Sequence, residues 1–316
     1  MAVMALPLAF VSCSSSDDDG DNGSGSIEVP KYEAEAAKYE ITSSDAEYSS
    51  IELTASGNYI IVKKASVSGA RALAVSSAKT SAGKHVSLFR SVKKSVASRA
   101  GEWGSGILYG SYTKVGDNEY RLSNLGTLKV AVKNGVACSL NLVYSDGTTK
   151  TYDGNKSEVK NNTSDFTNFV CRTWNIAQMR EYYKIDGQTV FDVTANTWAD
   201  LNKQILNAIK KVNPDLTIDD FEFETNPPKQ IVITKNNTYM VLYEDNELAI
   251  ANWKWMDESK GLFRYSWDEE GSYDEDTGVA TVTRSGNNLI VSEEQTDIED
   301  GEKETYGIVY TLTEAK

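Results

Sequence analysis

The sequence predicts a mainly β protein made of two antiparallel β-meander modules related by internal duplication, with one or two short helices. Three observations predict this class: a hairpin motif that occurs twice, closely spaced strand-like runs separated by turn residues, and a composition typical of globular proteins. The chain has 316 residues, of which 40% are hydrophobic and 25% are charged. That length is sufficient for two ordinary domains.

The duplication appears as three matches that occur in the same order in both halves of the chain. In the first match, SIELTASGNYII parallels QIVITKNNTYMV, and each stretch has two strand-like runs around a tight turn. The paired segments are 50–61 with 230–241, 110–114 with 251–255, and 146–152 with 300–306. We therefore expect a first module over 48–164 and a second module over 165–316.

Strand signals dominate the second module. Short runs of β-branched and aromatic residues alternate with clusters of Gly, Asn, Asp and Ser, which favour turns. The predicted strands are 230–234, 238–243, 248–255, 262–267, 279–284, 288–293 and 304–312. Regular short strands joined by short turns indicate a meander that forms a small barrel or a sandwich.

Two helices are predicted between the strands. One begins at Thr197 and ends before Asn213-Pro214, with Leu201 and Ile205 on its apolar face. The other, at 87–98, lies in a basic insertion that is rich in Ala and Ser and covers 66–104 of the first module. We expect this insertion either to complement an acidic surface or to be a solvated loop.

Four short motifs give the second half a family resemblance. They are RTWNI at 172–176, IVITKNNTY at 231–239, NWKW at 252–255 and DESKG at 257–261. Together they resemble the lipocalin-like domains of surface lipoproteins from Bacteroidota, over 170–316 and more weakly over 48–160. The resemblance implies a small antiparallel barrel and implies little about a ligand, because fold alone does not determine function.

The N-terminal segment 1–13 is typical of a lipoprotein signal sequence. It is apolar, uncharged and too short to span a bilayer, which requires roughly 20 apolar residues. The residues Phe10-Val11-Ser12 before Cys13 resemble a lipobox, in which the cysteine is acylated and becomes the mature N-terminus. The alternatives are an ordinary secretion signal and a buried N-terminal segment.

Residues 14–47 are predicted to be a flexible acidic tether and a lead-in to the first module. The stretch SSSDDDGDNGSGS at 14–26 contains no apolar residue that could be buried. An acidic run after a lipidated cysteine resembles the export signal of surface lipoproteins, which implies a lipid-anchored protein on the outer face of the outer membrane. The alternative is a solvated spacer on a periplasmic lipoprotein.

The net charge is -14 and the sequence pI is about 4.7. A negative protein repels phosphate backbones, so nucleic acid is not an expected partner. Besides Cys13, the chain has Cys138 and Cys171, both in apolar surroundings. These two cysteines form either a disulfide or two buried free thiols.

Catalytic and metal-binding signals are weak. The only histidine, His85, lies in the basic insertion, so neither a Ser-His-Asp arrangement nor a His-rich zinc site is expected. Asp268, Asp274 and Asp276 are weak candidates for a hard cation, and a solvated acidic hairpin is the alternative. No phosphate-binding glycine loop is present, and we predict no cofactor.

An aromatic stripe is the best binding candidate in the sequence. By period-two alternation, its members share one face of two neighbouring strands. They are Trp253, Trp255, Phe263, Tyr265 and Trp267. Such a face either lines a ligand cavity or fills the core of the barrel.

The leading functional prediction is a non-enzymatic binding module. It would bind a small apolar or glycan-like ligand, or a neighbouring outer-membrane protein. The alternatives are a structural or assembly lipoprotein without a small ligand, and a glycan-active enzyme. A cavity lined by the tryptophans would favour binding, a filled barrel with an exposed apolar patch would favour assembly, and two convergent carboxylates would favour an enzyme.

Overall fold

The computed structural model describes residues 35–64, 106–158, 164–212, 214, 226–267, 273, 277–299 and 301–315. All of them belong to one compact unit, Tyr32–Lys316. Several sequence predictions therefore lie outside the described residues: Cys13, the acidic run 14–26, the helix at 87–98, His85, and Asp268, Asp274 and Asp276.

The first barrel contains eight strands. They are β1 (Ala37–Ile41), β2 (Tyr48–Leu53), β3 (Asn58–Lys63), β4 (Ile107–Gly116), β5 (Glu119–Leu122), β6 (Gly126–Val132), β7 (Ala137–Tyr144) and β8 (Thr149–Lys156). Each strand pairs antiparallel with the next, and β8 pairs with β1, which closes the barrel. The strand β1 lies within the segment expected to be lead-in, because Ala37 and Tyr39 alternate inward as core residues.

The second barrel has the same meander with one extra strand. Its strands are β9 (Thr173–Ile185), β10 (Gln188–Ala195), β11 (Pro228–Ile233), β12 (Thr238–Tyr243), β13 (Leu248–Asp257), β14 (Leu262–Ser266), β15 (Thr277–Ser285), β16 (Asn288–Glu299) and β17 (Glu302–Glu314). Pairing of β9 with β17 closes the ring. The first residues of β9 pair with β11, and its later residues pair with β10. The predicted class, two antiparallel meander barrels, is confirmed.

The matched hairpins of the two barrels have the same geometry. Both carry a register shift at the same place, between Tyr48 and Ser50 in β2 and between Pro228 and Gln230 in β11. Following the strand pairs around each barrel gives further equivalences: Tyr112 with Trp253, Leu122 with Tyr265, Gly126 with Gly278, Leu142 with Glu293, Lys150 with Ile308, and Tyr152 with Tyr310. This common register supports the duplication.

The third sequence match holds only for the turn of the last hairpin. Its alignment paired Tyr152 with Tyr306, whereas the strand register pairs Tyr152 with Tyr310. The reason is length, since β8 has 8 residues and β17 has 13. The second barrel is therefore taller beside β9, β16 and β17.

Two helices pack against the second barrel. The helix α1 (Asp165–Val170) begins at Ser164, whose hydroxyl accepts a hydrogen bond from the Thr167 amide, and it closes one end of the barrel, which we call the α1 end. The predicted longer helix is confirmed as α2 (Trp198–Val212), with Leu201 and Ile205 buried in the core. In the described part of the chain, neither helix has the length and apolar character needed to cross a membrane.

The two barrels contact each other through their matched hairpins. Outward-facing residues form a separate apolar cluster that contains Ile60, Ile107, Val232, Met240 and Leu248. Beside it lies the carboxylate of Glu52, a residue that is 2% exposed. This carboxylate accepts hydrogen bonds from the Thr238 hydroxyl at 2.6 Å and the Asn236 amide at 3.2 Å.

Candidate functional site

The predicted aromatic stripe lies inside the second barrel. Trp253 pairs with Tyr265 across the β13–β14 hairpin, and the rings of Trp253 and Phe263 stack with centroids 4.8 Å apart. Trp267 contacts Tyr239 edge to face at 5.8 Å. All these side chains belong to one buried cluster. Their contacts are those of a packed core.

Trp255 connects the stripe to the α1 end of the barrel. Its indole N–H donates a hydrogen bond of 2.9 Å to the Thr167 hydroxyl, and its ring stacks on Phe166 at 5.5 Å. The carboxylate of Glu258 accepts hydrogen bonds from Ser164 and Thr167. Helix α1 is thereby fastened across this end of the barrel.

The cysteines do not form the disulfide left open by the sequence. Cys138 and Cys171 are both buried free thiols. The reason is position, because Cys138 lies in the core of the first barrel and Cys171 lies in the core of the second. Burial raises the pKa of the Cys171 thiol to about 12, so this thiol is not activated as a nucleophile.

The inward-facing residues of the second barrel change from apolar to polar along the length of the barrel. From the α1 end outward, successive rows across β16, β17 and β9 are Val291–Tyr310–Met179, Glu293–Ile308–Glu181 and Gln295–Tyr306–Tyr183. The first row is buried and has no ionisable carboxylate, the second contains two glutamates, and the third is half-buried. We call Glu181, Glu293, Tyr265 and Tyr306 the acid–tyrosine layer. The end beyond it is the far end.

Glu293 is held by a tyrosine from two strands away. The Tyr265 hydroxyl donates a 2.5 Å hydrogen bond to its carboxylate, and Glu293 is only 3% exposed. Space for that hydroxyl comes from Gly278, because a Cβ atom there would lie 2.1 Å from the Tyr265 oxygen. The pKa of Tyr265 is raised well above its ordinary value by burial and by the charge of Glu293.

Glu181 is the more accessible acid of the pair. It is half-buried, faces inward between Met179 and Tyr183, and forms a side-chain hydrogen bond with Tyr306. Burial raises the pKa of its carboxyl to about 7, and the bond from Tyr306 offsets this only in part. Among the described residues, Glu181 has no ion pair with a lysine or arginine.

Among the described residues, the charged neighbours Arg180 and Glu294 point away from the barrel interior. Arg180 forms a two-bond pair with Asp192, at 2.7 and 2.8 Å, on the exposed face. Glu294 accepts a hydrogen bond from Tyr182 on the same outer face. Alternation of adjacent residues therefore separates an ion-paired exterior from an acidic interior.

The acid–tyrosine layer was missed at the level of sequence. Strand 288–293 was predicted, and its inward phase of Leu289 and Val291 already places Glu293 inside the barrel. Glu181 had no comparable signal, because the strand predicted at 172–176 covers only the start of β9 and ends before Glu181, and β10 was not predicted. The aromatic stripe was the best binding candidate in the sequence because of its residue types, although those residues form the core.

Metal binding has no structural support in the described part of the chain, where no group of three potential ligands comes together. Comparison with protein-family models, curated proteins and solved structures found no match to this chain.

Proposed function

We propose that this protein is a lipid-anchored cell-surface lipoprotein whose second barrel binds a small ligand at the acid–tyrosine layer. The observation that carries the proposal is Glu181, a largely buried carboxyl that faces the inside of the barrel and whose pKa burial raises to about 7. Burying a carboxylate is costly, and strongly shifted acids in concave sites are frequent at functional positions.

Two features of the barrel support a small-molecule site. Packed aromatic residues provide a rigid base, and a few polar groups lie above them. At the acid–tyrosine layer, hydroxyl and carboxylate groups are oriented by hydrogen bonds such as Tyr265 to Glu293. The half-buried Gln295 and Tyr183 extend this polar lining toward the far end.

The arrangement favours binding over glycan cleavage. A glycosidase needs two carboxylates that both reach the scissile bond. Glu181 and Glu293 are two strands apart on one row, but Glu293 is 3% exposed and bound by Tyr265. Glu293 is thus bound within the barrel wall, and Glu181 is the acid that would contact a ligand. One accessible acid is sufficient for binding but not for this kind of cleavage.

A thermal-shift screen tests the proposed binding site. Lipids, neutral glycans and small amines would be added separately to the wild type, to Tyr306→Phe and to a control, Tyr182→Phe. The Tyr182→Phe control also removes a tyrosine hydroxyl that is bonded to a glutamate, but on the outer face of the barrel. We expect at least one class to raise the melting temperature of the wild type and of the control but not of Tyr306→Phe. Equal shifts in all three proteins, or no shift with any class, would reject the site.

The proposed location is tested separately at Cys13. Multiple acyl chains on this residue would anchor the protein without any protein–lipid surface. We expect Cys13→Ala to lose lipid labelling and to leave the membrane fraction, and the wild type on intact cells to be cleaved by added protease. An unlabelled wild type in the membrane fraction would contradict the anchor, and full protection from protease would contradict surface exposure.

A further inference from the structure

The two barrels meet through equivalent surfaces of the two copies. In the common strand register, Ile60 corresponds to Met240, and Ile107 corresponds to Leu248. These four side chains belong to the apolar cluster between the barrels, and none of them is more than 6% exposed. The partly buried residues packed against the cluster match in the same way, Val62 with Leu242 and Tyr109 with Ile250. One surface patch, present in both copies, therefore forms both sides of the contact.

The polar contacts beside the cluster are reciprocal. On one side, Glu52 of the first barrel accepts hydrogen bonds from Asn236 and Thr238, at the turn of the second hairpin. In the matched hairpins, the places of these two donors are taken by Ser56 and Asn58 of the first barrel. This matched turn contacts the second barrel in its turn.

That second contact is made by Thr173, at the start of β9. Its hydroxyl lies 3.1 Å from the Ser56 hydroxyl and donates a hydrogen bond of 2.9 Å to the amide oxygen of Asn58. Thr173 is the strand partner of Val232, which has the place of Glu52. Each turn thus meets the matched strand region of the other barrel. This is the pattern of an isologous contact, in which two subunits use the same patch around a twofold axis.

One position of the patch differs in charge between the copies. Glu52 and Val232 occupy the same place and are 2% and 0% exposed. A buried carboxylate is costly unless hydrogen-bond donors compensate it, and Asn236 and Thr238 of the opposite barrel are the donors. The patch of the first barrel is therefore complementary to that of the second, whereas two identical patches would not be complementary.

We propose that the two barrels are a heterotypic pair equivalent to the subunits of a twofold dimer, and that Glu52 is the residue that selects the second barrel as the partner of the first. The partner that fits the first barrel is a β-barrel with a matching apolar patch, a neutral residue at the place of Glu52, and amide and hydroxyl donors opposite it. This surface is separate from the acid–tyrosine layer, and the inference does not depend on a ligand.

The same contacts disfavour pairing of a barrel with its own copy. Two first barrels would bury two Glu52 carboxylates in one contact, with the desolvation cost of both. Two second barrels would place Asn236 and Thr238 opposite Val232, so that these donors would lose the acceptor that Glu52 provides. The heterotypic pair buries one carboxylate together with its donors.

Cleavage of the folded chain between the barrels tests the pairing. A flexible Gly–Ser insertion with a protease site would be placed between Glu158 and Ser164, and native mass spectrometry of the cleaved protein at about 10 µM would identify the species by mass. We expect the two halves to remain together as a 1:1 pair. Separate halves would overturn the pairing surface, and homodimers of either half would overturn its selectivity.

The variant Glu52→Val tests the selecting residue. It gives the first barrel the valine that the second barrel has, so homodimers of the first half should appear beside the 1:1 pair. The matched control is Glu40→Val, which removes an exposed carboxylate from the outer face of the neighbouring strand β1 and should give the 1:1 pair alone. If Glu52→Val also gave the 1:1 pair alone, Glu52 would not be the selecting residue.

The reverse change, Val232→Glu, leaves the first barrel intact. It places a second acid in the contact, and the dissociation constant of the cleaved pair should rise by at least about 10-fold. Its control is Val279→Glu at a valine that is 46% exposed, which should pair like the wild type. Equal dissociation constants for Val232→Glu and the wild type would overturn the proposal. Circular dichroism of the uncleaved chains reports whether each variant keeps its fold.

Discussion

The two barrels share a frame and differ in the partners of their acidic residues. At one equivalent core position, the Tyr112 hydroxyl of the first barrel donates to the Thr54 carbonyl at 2.9 Å. In the second barrel, the Trp253 indole donates to the carbonyl of the matched Thr234, also at 2.9 Å. The residue types have diverged, but the hydrogen bond that fixes the side chain has been kept.

The charged residues show the opposite behaviour. In the first barrel, partly exposed acids pair with lysines, since Glu35 pairs with Lys114 at 2.9 Å and Glu47 pairs with Lys150 at 2.8 Å. In the second barrel, Glu181 meets Tyr306 and no described cation. The described acids of the first copy thus have lysine partners, whereas the described partner of Glu181 in the second copy is a tyrosine.

The largest effect is expected where the frame is shared. Trp253→Ala should destabilise the protein by about 3–5 kcal/mol, because it removes a fully buried indole and leaves the Thr234 carbonyl without its donor. Chemical denaturation measures this change. Trp255→Ala, at a half-buried site on the same strand, should lower the free energy of unfolding by less. An equal or greater decrease would show that the stability of the shared frame depends on the contacts at the α1 end.

A smaller effect is expected where the barrels meet. Glu52 and Val232 occupy the same place in the matched hairpins, but only Glu52 accepts bonds from Asn236 and Thr238. Glu52→Leu should cost about 2–3 kcal/mol, because two buried donors lose their acceptor. Urea denaturation of Glu52→Leu and of Glu52→Gln, which keeps an acceptor oxygen, distinguishes this cause from a change of side-chain volume. If the unfolding free energy of Glu52→Leu equalled that of the wild type, the loss of the acceptor would not be destabilising and this prediction would be wrong.

The pH dependence of stability should differ between the barrels. Glu181 has a pKa of about 7 in the folded protein and about 4.5 as a free side chain, so folding favours its protonated form. Its contribution is fully present below about pH 4.5 and is lost as the pH rises through 7. Partial solvent access reduces the full cost, and we expect a loss of about 2 kcal/mol.

The variant Glu181→Gln identifies the source of that dependence. Glu293 and the hydroxyl of Tyr306 also face this carboxyl, so each could contribute to the pH profile. Unfolding free energies measured between about pH 5 and pH 8 should become flatter in Glu181→Gln. A slope that is unchanged from the wild type would assign the dependence to the other groups.

Sequence reasoning succeeded where local pattern and packing agree. The strand 238–243 and the helix starting at Trp198 were placed correctly, because alternation, turn residues and a capping threonine act over a few neighbours. The acid–tyrosine layer depends on register across three strands, which brings Glu181 and Glu293 onto one row. No local signal specifies that register, and the long β9–β10 hairpin that carries Glu181 has no counterpart in the first barrel.

The smallest effect is expected at the ion pair that completes the first barrel. Lys150 and Glu47 are both partly exposed, so Lys150→Met should cost less than about 1 kcal/mol at neutral pH. The pKa of Glu47 is lowered because the bonds from Lys150 and the tyrosines outweigh burial. Its contribution is therefore present above the ordinary carboxyl pKa and lost as the pH falls below it, opposite in sign to that of Glu181.

Titration of the Glu47 carboxyl by nuclear magnetic resonance is the direct measurement. In Lys150→Met, this pKa should rise, because burial is then opposed only by Tyr144 and Tyr152. If the Glu47 pKa did not rise in Lys150→Met, Lys150 would not be the group that keeps this carboxyl ionised.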